Sequence, residues 1–390
     1  MEPIHKHNNP LFYKLTLGLF ILYFIVKPFY ILPSGSLQMA DLIMLLLLFF
    51  MIFINKLKVK IKKKNSSFII LNLLFISYIA IINILWTVIL GEVVYKMTLY
   101  YIFNFLACFL VIILFSRHGN KLFKAVYWGV LISILLQTLL IMLLNGVTTG
   151  RDTGFFNNPN QLGYFSVVSL CLLIYSKRKL EDKAHLFITA LTTCFFLSLI
   201  SLSRGAIGAS VIIIGLYILK NRSIFLLLKR RLMRVILGGF LLISFILTFF
   251  IYYDSSLITD SKIYYGLNKR VVGKDINSIE EVSTRGYDRI FIHPQYLIFG
   301  AGEGGFWRFN SYKEFHSTLG NIFLSYGLVG FLIFTFIIIN AFKYNRWREF
   351  YLFVGIMVYG LTHNGIRNTL MWIFIALIAC DLSDGEEIDA

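Results

Sequence analysis

Long apolar runs separated by short polar segments make up almost the whole chain. Apolar runs near 20 residues recur, among them Phe68–Leu90 and Leu232–Tyr252, and a helix of this length crosses a hydrocarbon core about 30 Å thick. The pattern predicts an all-α, polytopic membrane protein with about 12 transmembrane helices. The predicted spans are 10–30, 37–55, 67–90, 96–116, 121–145, 160–176, 184–200, 204–220, 232–253, 317–342, 349–362 and 366–381.

The pattern is broken by one long polar segment, Asp254–His316, between predicted spans nine and ten. It is rich in cations and punctuated by glycine. Residues 1–390 are predicted to form a single integral membrane domain, with 254–316 as a loop within it. No cleavable signal peptide is expected, because Asn9-Pro10 and Lys14 flank the first apolar run in place of a small-residue cleavage site.

Composition agrees with a membrane protein. Hydrophobic residues make up 58% of the chain and charged residues 15%, against about 25% charged in a soluble domain. The four cysteines fall inside apolar runs without a CxxC spacing, so we interpret them as core residues and not as a disulfide framework or a metal site.

The net charge of +17 follows the predicted topology and does not indicate a nucleic-acid partner. Alternate connections, together with the N-terminus, carry 24 lysines and arginines. The other short connections carry five, namely Lys27, Lys96, Arg151, Arg204 and Arg367. Because basic connections stay in the cytoplasm, both termini are predicted to be cytoplasmic, and the 254–316 loop is predicted to be extracytoplasmic in a bacterial cell membrane.

Arginines on the predicted outer side are candidates for binding a phosphate. Arg204 stands in Ser-Leu-Ser-Arg-Gly-Ala at the start of span eight, and Arg151 precedes span six. Arg285 and Arg289 are four residues apart, which would place them on one face of a helix. Arginine binds phosphate through paired hydrogen bonds and stays charged in a low dielectric. The alternative is that these side chains reach lipid headgroups or pair with nearby acids such as Asp152.

Four further residues are candidates for chemistry or binding. His316 opens span ten, where an imidazole could accept a proton from a sugar hydroxyl or could instead bond the loop backbone. Asp41 is a carboxylate inside span two, and Asn160 lies in the Asn-Pro-Asn start of span six, an ordinary capping pattern. His363 lies beside Asn364 and Arg367 in the last outer connection. By contrast, Arg308 and Lys313 are interpreted as solvated loop charges.

No metal-ligand spacing and no nucleotide-binding loop stands in the sequence. The acids of the 254–316 loop are scattered. We therefore predict a protein that uses no metal and no cofactor.

These outward motifs resemble, in this order, the O-antigen ligase and O-antigen polymerase (Wzy) superfamily. The likeness covers the span count, the long outer loop and four local patterns. These are Phe155–Gly163 with its Asn-Pro-Asn, Ser201–Ala206 with its Ser-Arg-Gly, Arg285 followed by the glycine-rich Gly300–Phe306, and His316–Gly330. The chain departs from the family at Ser317, where Asn is common, and at Arg289, where Trp is common; Arg289 could share the role of Arg285.

The resemblance implies glycosyl transfer on the outer face of the membrane from a glycan on undecaprenyl diphosphate. It implies His316 as general base or acceptor-positioning group, and Arg204 and Arg285 as groups that hold the diphosphate. Arg151, Arg289, Asn160 and Asp41 are substrate-binding candidates. The implied partners are the lipid-linked donor and acceptor, membrane lipid and a chain-length regulator protein.

A polymerase joins repeat units of a capsular, exo- or O-antigen polysaccharide, whereas a ligase moves the glycan to another acceptor. The residue usage, rich in Ile, Lys, Phe and Asn, is typical of a low-GC organism. Such organisms can lack lipid A, to which a ligase would transfer the glycan, and this favours the polymerase. A polysaccharide-lipid transporter and a non-catalytic assembly protein are alternatives from other classes. A transporter would place ionisable residues near the middle of its spans.

Overall fold

The computed structural model describes residues 10–54, 63–144, 151–180, 184–221, 285–309 and 314–381. The regular elements of this part of the chain are helical. They are α1 (Pro10–Val26), α2 (Met39–Phe49, continued by a π-helical turn at Phe50–Ile54), α3 (Lys63–Leu90), α4 (Thr98–His118), α5 (Lys121–Leu144), α6 (Pro159–Lys177), α7 (Ala184–Ile200), α8 (Arg204–Lys220), α9 (Asp288–Ile292), α10 (Thr318–Lys343), α11 (Phe350–Gly360) and α12 (Thr369–Cys380).

The predicted fold class is confirmed at this level. Four helices are long and apolar enough to cross a membrane (Asn65–Leu90, Tyr95–His118, Lys121–Leu144 and Thr318–Lys343), and shorter apolar helices accompany them. Eleven of the predicted spans overlap helices, and the ninth, 232–253, lies outside the described residues. The number of crossings and their direction remain predictions.

Two helices form the centre of the bundle. Every residue from Leu162 to Ser176 of α6 is buried, as is every residue of α12. A helix that is covered on all sides shows no amphipathic stripe. Buried Ser166 of α6 finds a partner inside the protein, because its Oγ lies 2.7 Å from Ser198 Oγ of α7. The central helices therefore fix where the surrounding helix ends lie.

Ion pairs join several connections at one end of the bundle. Glu349 accepts from Arg178 at 2.8 Å and from Lys220 at 3.2 Å, and Lys179 lies 3.0 Å from Asp381. Arg178 and Lys179 follow α6, Lys220 is the last residue of α8, Glu349 precedes α11 and Asp381 follows α12. Because α6, α8 and α12 all end here, their starts lie together at the other end of the bundle.

The glycine-rich turn is inserted into a kink of α10. Gly327 has φ +65° inside this helix, which frees backbone groups on both sides of it. Ala301 N–H donates to Leu324 O at 2.9 Å, and Leu328 N–H donates to Leu297 O at 2.7 Å. Because broken helical bonds must find new partners, the turn and the kink depend on each other. Together they hold the polar segment against the start of α10.

Candidate functional site

A cavity of about 930 Å³ opens at the end of the bundle opposite the ion pairs. Its walls come from the 27–38 connection and the starts of α2, α4 and α6, and from residues 314–316 and 359–369. Three of the predicted site residues line it: Asp41, Asn160 and His316. His316 is exposed there, and its position follows from α10, which begins two residues later behind the Ser317 cap. Distant parts of the sequence thus meet at one cavity.

Arg151 stands directly behind Asn160. Its guanidinium donates to Asn160 Oδ1, and its Nε donates to Ser201 O at 3.0 Å. Tyr359 Oη donates to Asn160 O at 2.7 Å. The start of α6 is also fixed locally, since Asn158 Oδ1 accepts from Gln161 N–H at 3.0 Å. Arg151 therefore orients a cavity-lining amide and ties it to the next outer connection.

Arg204 begins α8 after a strained turn. Leu202 has φ +48°, a left-handed conformation that is uncommon without glycine and recurs at functional sites. A Cβ on Gly205 would overlap Thr362 Oγ1, so the backbone beside Arg204 lies directly against the last outer connection. A Cβ on Gly163 would meet Ala206 Cβ at 2.9 Å. The two glycines let the segments around Asn160, Arg204 and Thr362 pack together.

Arg285 joins the end of the polar segment to the same connection. Its guanidinium donates to Thr362 O, and its own carbonyl accepts from His316 N–H at 3.1 Å. Tyr287 Oη makes a parallel link, to Ser317 Oγ at 2.7 Å and to Leu361 O at 2.6 Å. Arg285 is thereby held next to His316 by backbone contacts on both sides.

Arg289 lies elsewhere. Gly286 has φ +85°, and α9 begins only at Asp288, so Arg285 and Arg289 do not share a helical face. Arg289 is 5% exposed, 5.9 Å from the Phe309 ring. Burial lowers the pKa of Arg289, and Asp288 opposes that shift. The side chain packs beneath the loop. Like Arg151, Arg204 and Arg285, Arg289 is not among the residues that line the cavity.

The interpretation of Arg308 as a solvated charge was wrong. Its guanidinium lies 4.6 Å from the Trp86 ring and donates to Ala301 O and to Gly302 O, the latter at 3.3 Å. Burial lowers the pKa of Arg308 to about 10, although the nearby Tyr296 and Glu92 act in the opposite direction and raise it. The glycine-rich turn presents its carbonyls inward, and Arg308 satisfies them. Lys313 lies outside the described residues.

Asp41 is paired within the cavity wall. Lys27 Nζ lies 2.8 Å from its Oδ1, and Gln38 N–H donates to its Oδ2 at 3.0 Å. The second bond belongs to a capping box at the start of α2. Asp41 thus fixes the 27–38 connection and holds a cation at the cavity surface.

His363 is a second imidazole at the cavity, beside His316. Its Nδ1 lies 2.9 Å from Thr362 Oγ1, its ring stacks on Tyr359 with centroids 4.6 Å apart, and its carbonyl accepts from Thr318 Oγ1 at 3.1 Å. Burial lowers the pKa of His363 to about 3, helped by Arg285, His316 and Arg151. His363 is therefore neutral at physiological pH, in a positive environment.

Arg367 brings a further cation into the cavity wall. Glu314 accepts from it, and Glu303 Oε1 lies 3.4 Å from its Nε. Burial opposes its charge, but Glu303 and Glu314 outweigh burial and raise the pKa of Arg367. Glu303 is 1% exposed and also accepts from Tyr101 at 2.7 Å and Asn321 at 2.9 Å. The glycine-rich turn thus carries the buried anion that holds Arg367.

The sequence pattern gave too little weight to His363, Arg367 and Glu303 as site residues. A signal was present for the first two, because the polar stretch 362–368 separates two apolar runs on the predicted outer side. For Glu303 the sequence offers only a carboxylate among glycines; its partners come from four other segments. Among the described residues, no group of three or more His, Cys, Asp or Glu is placed to hold a metal ion.

Comparison of the chain with protein-family models and with curated proteins gave no match. A functional assignment therefore rests on the residues themselves and on their arrangement at this cavity.

Proposed function

We propose that the protein is a membrane glycosyltransferase that polymerises undecaprenyl-diphosphate-linked oligosaccharide units on the outer face of the bacterial cytoplasmic membrane. The observation that carries the proposal is one cavity at the helix ends that is lined by His316 and His363, with Arg285 and Arg151 close enough to lower the pKa of His363. Imidazoles supply a proton acceptor, and arginines bind a diphosphate. The product would be a capsular, exo- or O-antigen polysaccharide.

In the proposed reaction an acceptor hydroxyl attacks the anomeric carbon of the donor glycan. The new C–O bond forms as the bond from the anomeric carbon to the diphosphate oxygen breaks, and the electron pair leaves with the lipid diphosphate. His316, exposed in the cavity, takes the hydroxyl proton. A single displacement of this kind inverts the anomeric centre.

The arginines would act on the leaving group. Arg204 and Arg285 neutralise the charge that develops on the diphosphate, which is electrostatic stabilisation of the leaving group. Arg151 would act through Asn160, whose side chain it orients. Arg285 needs little reorganisation, because the 362 carbonyl and the 316 amide already fix its position.

The test is a polysaccharide gel of a deletion strain complemented with His316→Ala, Arg285→Ala or Arg204→Ala. We expect each variant to lose long chains, because removing a general base or an oxyanion donor typically costs about 10²- to 10³-fold in rate. Arg348→Ala is the matched control; Arg348 is exposed at the ion-paired end and should leave chain length unchanged.

The accumulating intermediate separates the alternatives. A single lipid-linked unit indicates a polymerase, and a full-length lipid-linked polymer indicates transfer to another acceptor by a ligase. Accumulation of units on the cytoplasmic face would favour a polysaccharide-lipid transporter. Wild-type amounts of long chains in all three variants would reject the proposed chemistry.

A further inference from the structure

The cavity is not purely polar, because an apolar stripe of α4 forms part of its wall. Leu99, Ile102, Phe103 and Leu106 all line it. Their spacing of three, four and seven residues places them on one face of the helix. Leu99 is 61% exposed and Ile102 is 38% exposed, whereas Phe103 and Leu106 are partly buried, so the described part of the bundle leaves this face partly open. A transmembrane helix thus presents hydrocarbon side chains to the space that also contains His316.

The stripe faces a gap between two helices. Among the described elements, α2 packs along α1 and meets α4 only sparsely, whereas α4 packs closely on α12 and α3. The residues of the α2 side that line the cavity, Leu37, Gln38 and Asp41, all lie at its beginning. From Leu99 to Leu106 the stripe descends about 10 Å, or roughly a third of a hydrocarbon core.

Cations stand at the polar end of this stripe. Lys96 is exposed one turn before Leu99, and the Arg367 guanidinium lies 5.4 Å from the Tyr100 ring centroid. The Glu314 carboxylate already accepts a hydrogen bond at one edge of that guanidinium, on the solvent side, where the Glu314 side chain is 45% exposed. An anionic head could replace this exposed carboxylate while buried Glu303 continues to hold the arginine.

We propose that the groove between α2 and α4 binds the hydrocarbon tail of the lipid diphosphate, and that its head passes Lys96 and Arg367 on the way to Arg285 and Arg204. The inference rests on the proposed function. It adds the path of the substrate, since the lipid would enter the cavity laterally from the membrane. Charge and polarity match at each level, since an anionic head meets cations and an isoprenoid chain meets Leu99, Ile102 and Phe103. The tail remains in hydrocarbon surroundings while the head lies beside His316.

Photo-crosslinking tests the groove directly. A benzophenone-bearing residue replaces Phe103 in the full-length protein, reconstituted in phosphatidylglycerol–phosphatidylethanolamine vesicles with radiolabelled undecaprenyl diphosphate as probe. The matched control is the same replacement at Phe105. Phe105 lies at almost the same depth but about 200° around the helix, stacked with Phe109 at 6.2 Å.

We expect label at position 103 to exceed label at 105 by about tenfold, which corresponds to a preference of about 1.4 kcal/mol. Ile102→Trp should fill the groove and abolish the difference, whereas Lys96→Gln should weaken labelling. Undecaprenol, with the same tail and an uncharged head, should compete poorly. Equal labelling at the two positions, or equal competition by added phosphatidylglycerol, would overturn the inference; the second result would identify an ordinary phospholipid site.

The crosslinking experiment and the gel assay test separate claims, and their failures can be told apart. If the groove fails to label while His316→Ala abolishes long chains, the glycosyltransferase proposal stands and the binding route is wrong. If the groove labels while His316, Arg285 and Arg204 prove dispensable, the lipid site stands without the proposed chemistry. Folding of the Ile102→Trp variant is checked by thermal unfolding beside Phe105→Trp.

Discussion

His363 shows how the environment sets the chemistry of a single side chain. Its ring stacks on Tyr359, and it lies among the positive charges of Arg285 and Arg151. Burial and these charges favour the neutral imidazole, which can accept a hydrogen bond from a sugar hydroxyl without first losing a proton. A bound diphosphate would offset the surrounding charge and make this imidazole more basic. His316, which is exposed, is not subject to the same burial.

The lowered pKa of His363 predicts acid sensitivity. The unfolded chain binds a proton near pH 6.5, whereas the folded protein does so only near pH 3. The unfolded state therefore gains protons first, and stability falls as the pH is lowered through this window. Thermal unfolding of the detergent-solubilised protein should show a smaller loss between pH 7.5 and 5 for His363→Gln than for the wild type. Identical losses in the two proteins would contradict the shift.

The sequence alone indicates a candidate site residue best where the side chain stands in a local motif. Arg204, Arg151 and His316 are candidates from the sequence because their neighbours in sequence are unusual. Glu303 and Arg367 could not be ranked in this way, because each owes its role to the other and to partners on α3, α4 and α10. A local sequence pattern carries no information on contacts between such distant segments.

Among the elements, α10 and the glycine-rich turn behave as one unit. The helix breaks at Gly327, and the turn supplies replacement hydrogen bonds at 297–302. The positions of His316, at one end of this unit, and of Glu303, within it, both depend on the break. The sequence predicted a helix here and a glycine-rich turn nearby, but not that one would fit into the other, because helical propensity carries no information on distant backbone partners.

Gly327→Ala should therefore destabilise the protein. Gly327 has φ +65° and ψ −169°, a backbone conformation adopted essentially by glycine alone, so a non-glycine residue there costs about 1–3 kcal/mol. Its Cβ would also overlap Ile298 O. Gly208→Ala in α8 is the matched control, because nothing lies within 4 Å of that Cβ and alanine favours a helix by up to about 1 kcal/mol. We expect Gly327→Ala to lower the midpoint of thermal unfolding and to shorten the polysaccharide product, and Gly208→Ala to do neither. Similar midpoints for the two variants would show that the kink is not required.

At the scale of the whole molecule, the two ends of the bundle differ in chemistry. One end carries Glu349 and Asp381 paired with basic residues, and the other carries the cavity. The charge bias predicted which connections share an end, and the ion pairs around Glu349 agree with that grouping. The direction of insertion remains a prediction, since it depends on a membrane and not on contacts within the protein.

Cysteine labelling of intact cells tests that direction. The four native cysteines are buried, so background labelling should be low. Val93→Cys lies in an exposed connection at the cavity end, and Asn120→Cys lies in an exposed connection at the opposite end. A membrane-impermeant maleimide should label the first and reach the second only after the cells are broken. The reverse result would place the cavity in the cytoplasm and reject an extracytoplasmic reaction.

The most direct test of the central claim is chain growth by the purified protein. Lipid-linked units extracted from the deletion strain are incubated with the reconstituted wild type, His316→Ala or Arg348→Ala, and the products are separated by size. The account predicts a ladder of longer lipid-linked chains with the wild type and Arg348→Ala, and unchanged single units with His316→Ala. Unchanged units with an intact wild-type protein, or an equal ladder with His316→Ala, would contradict it.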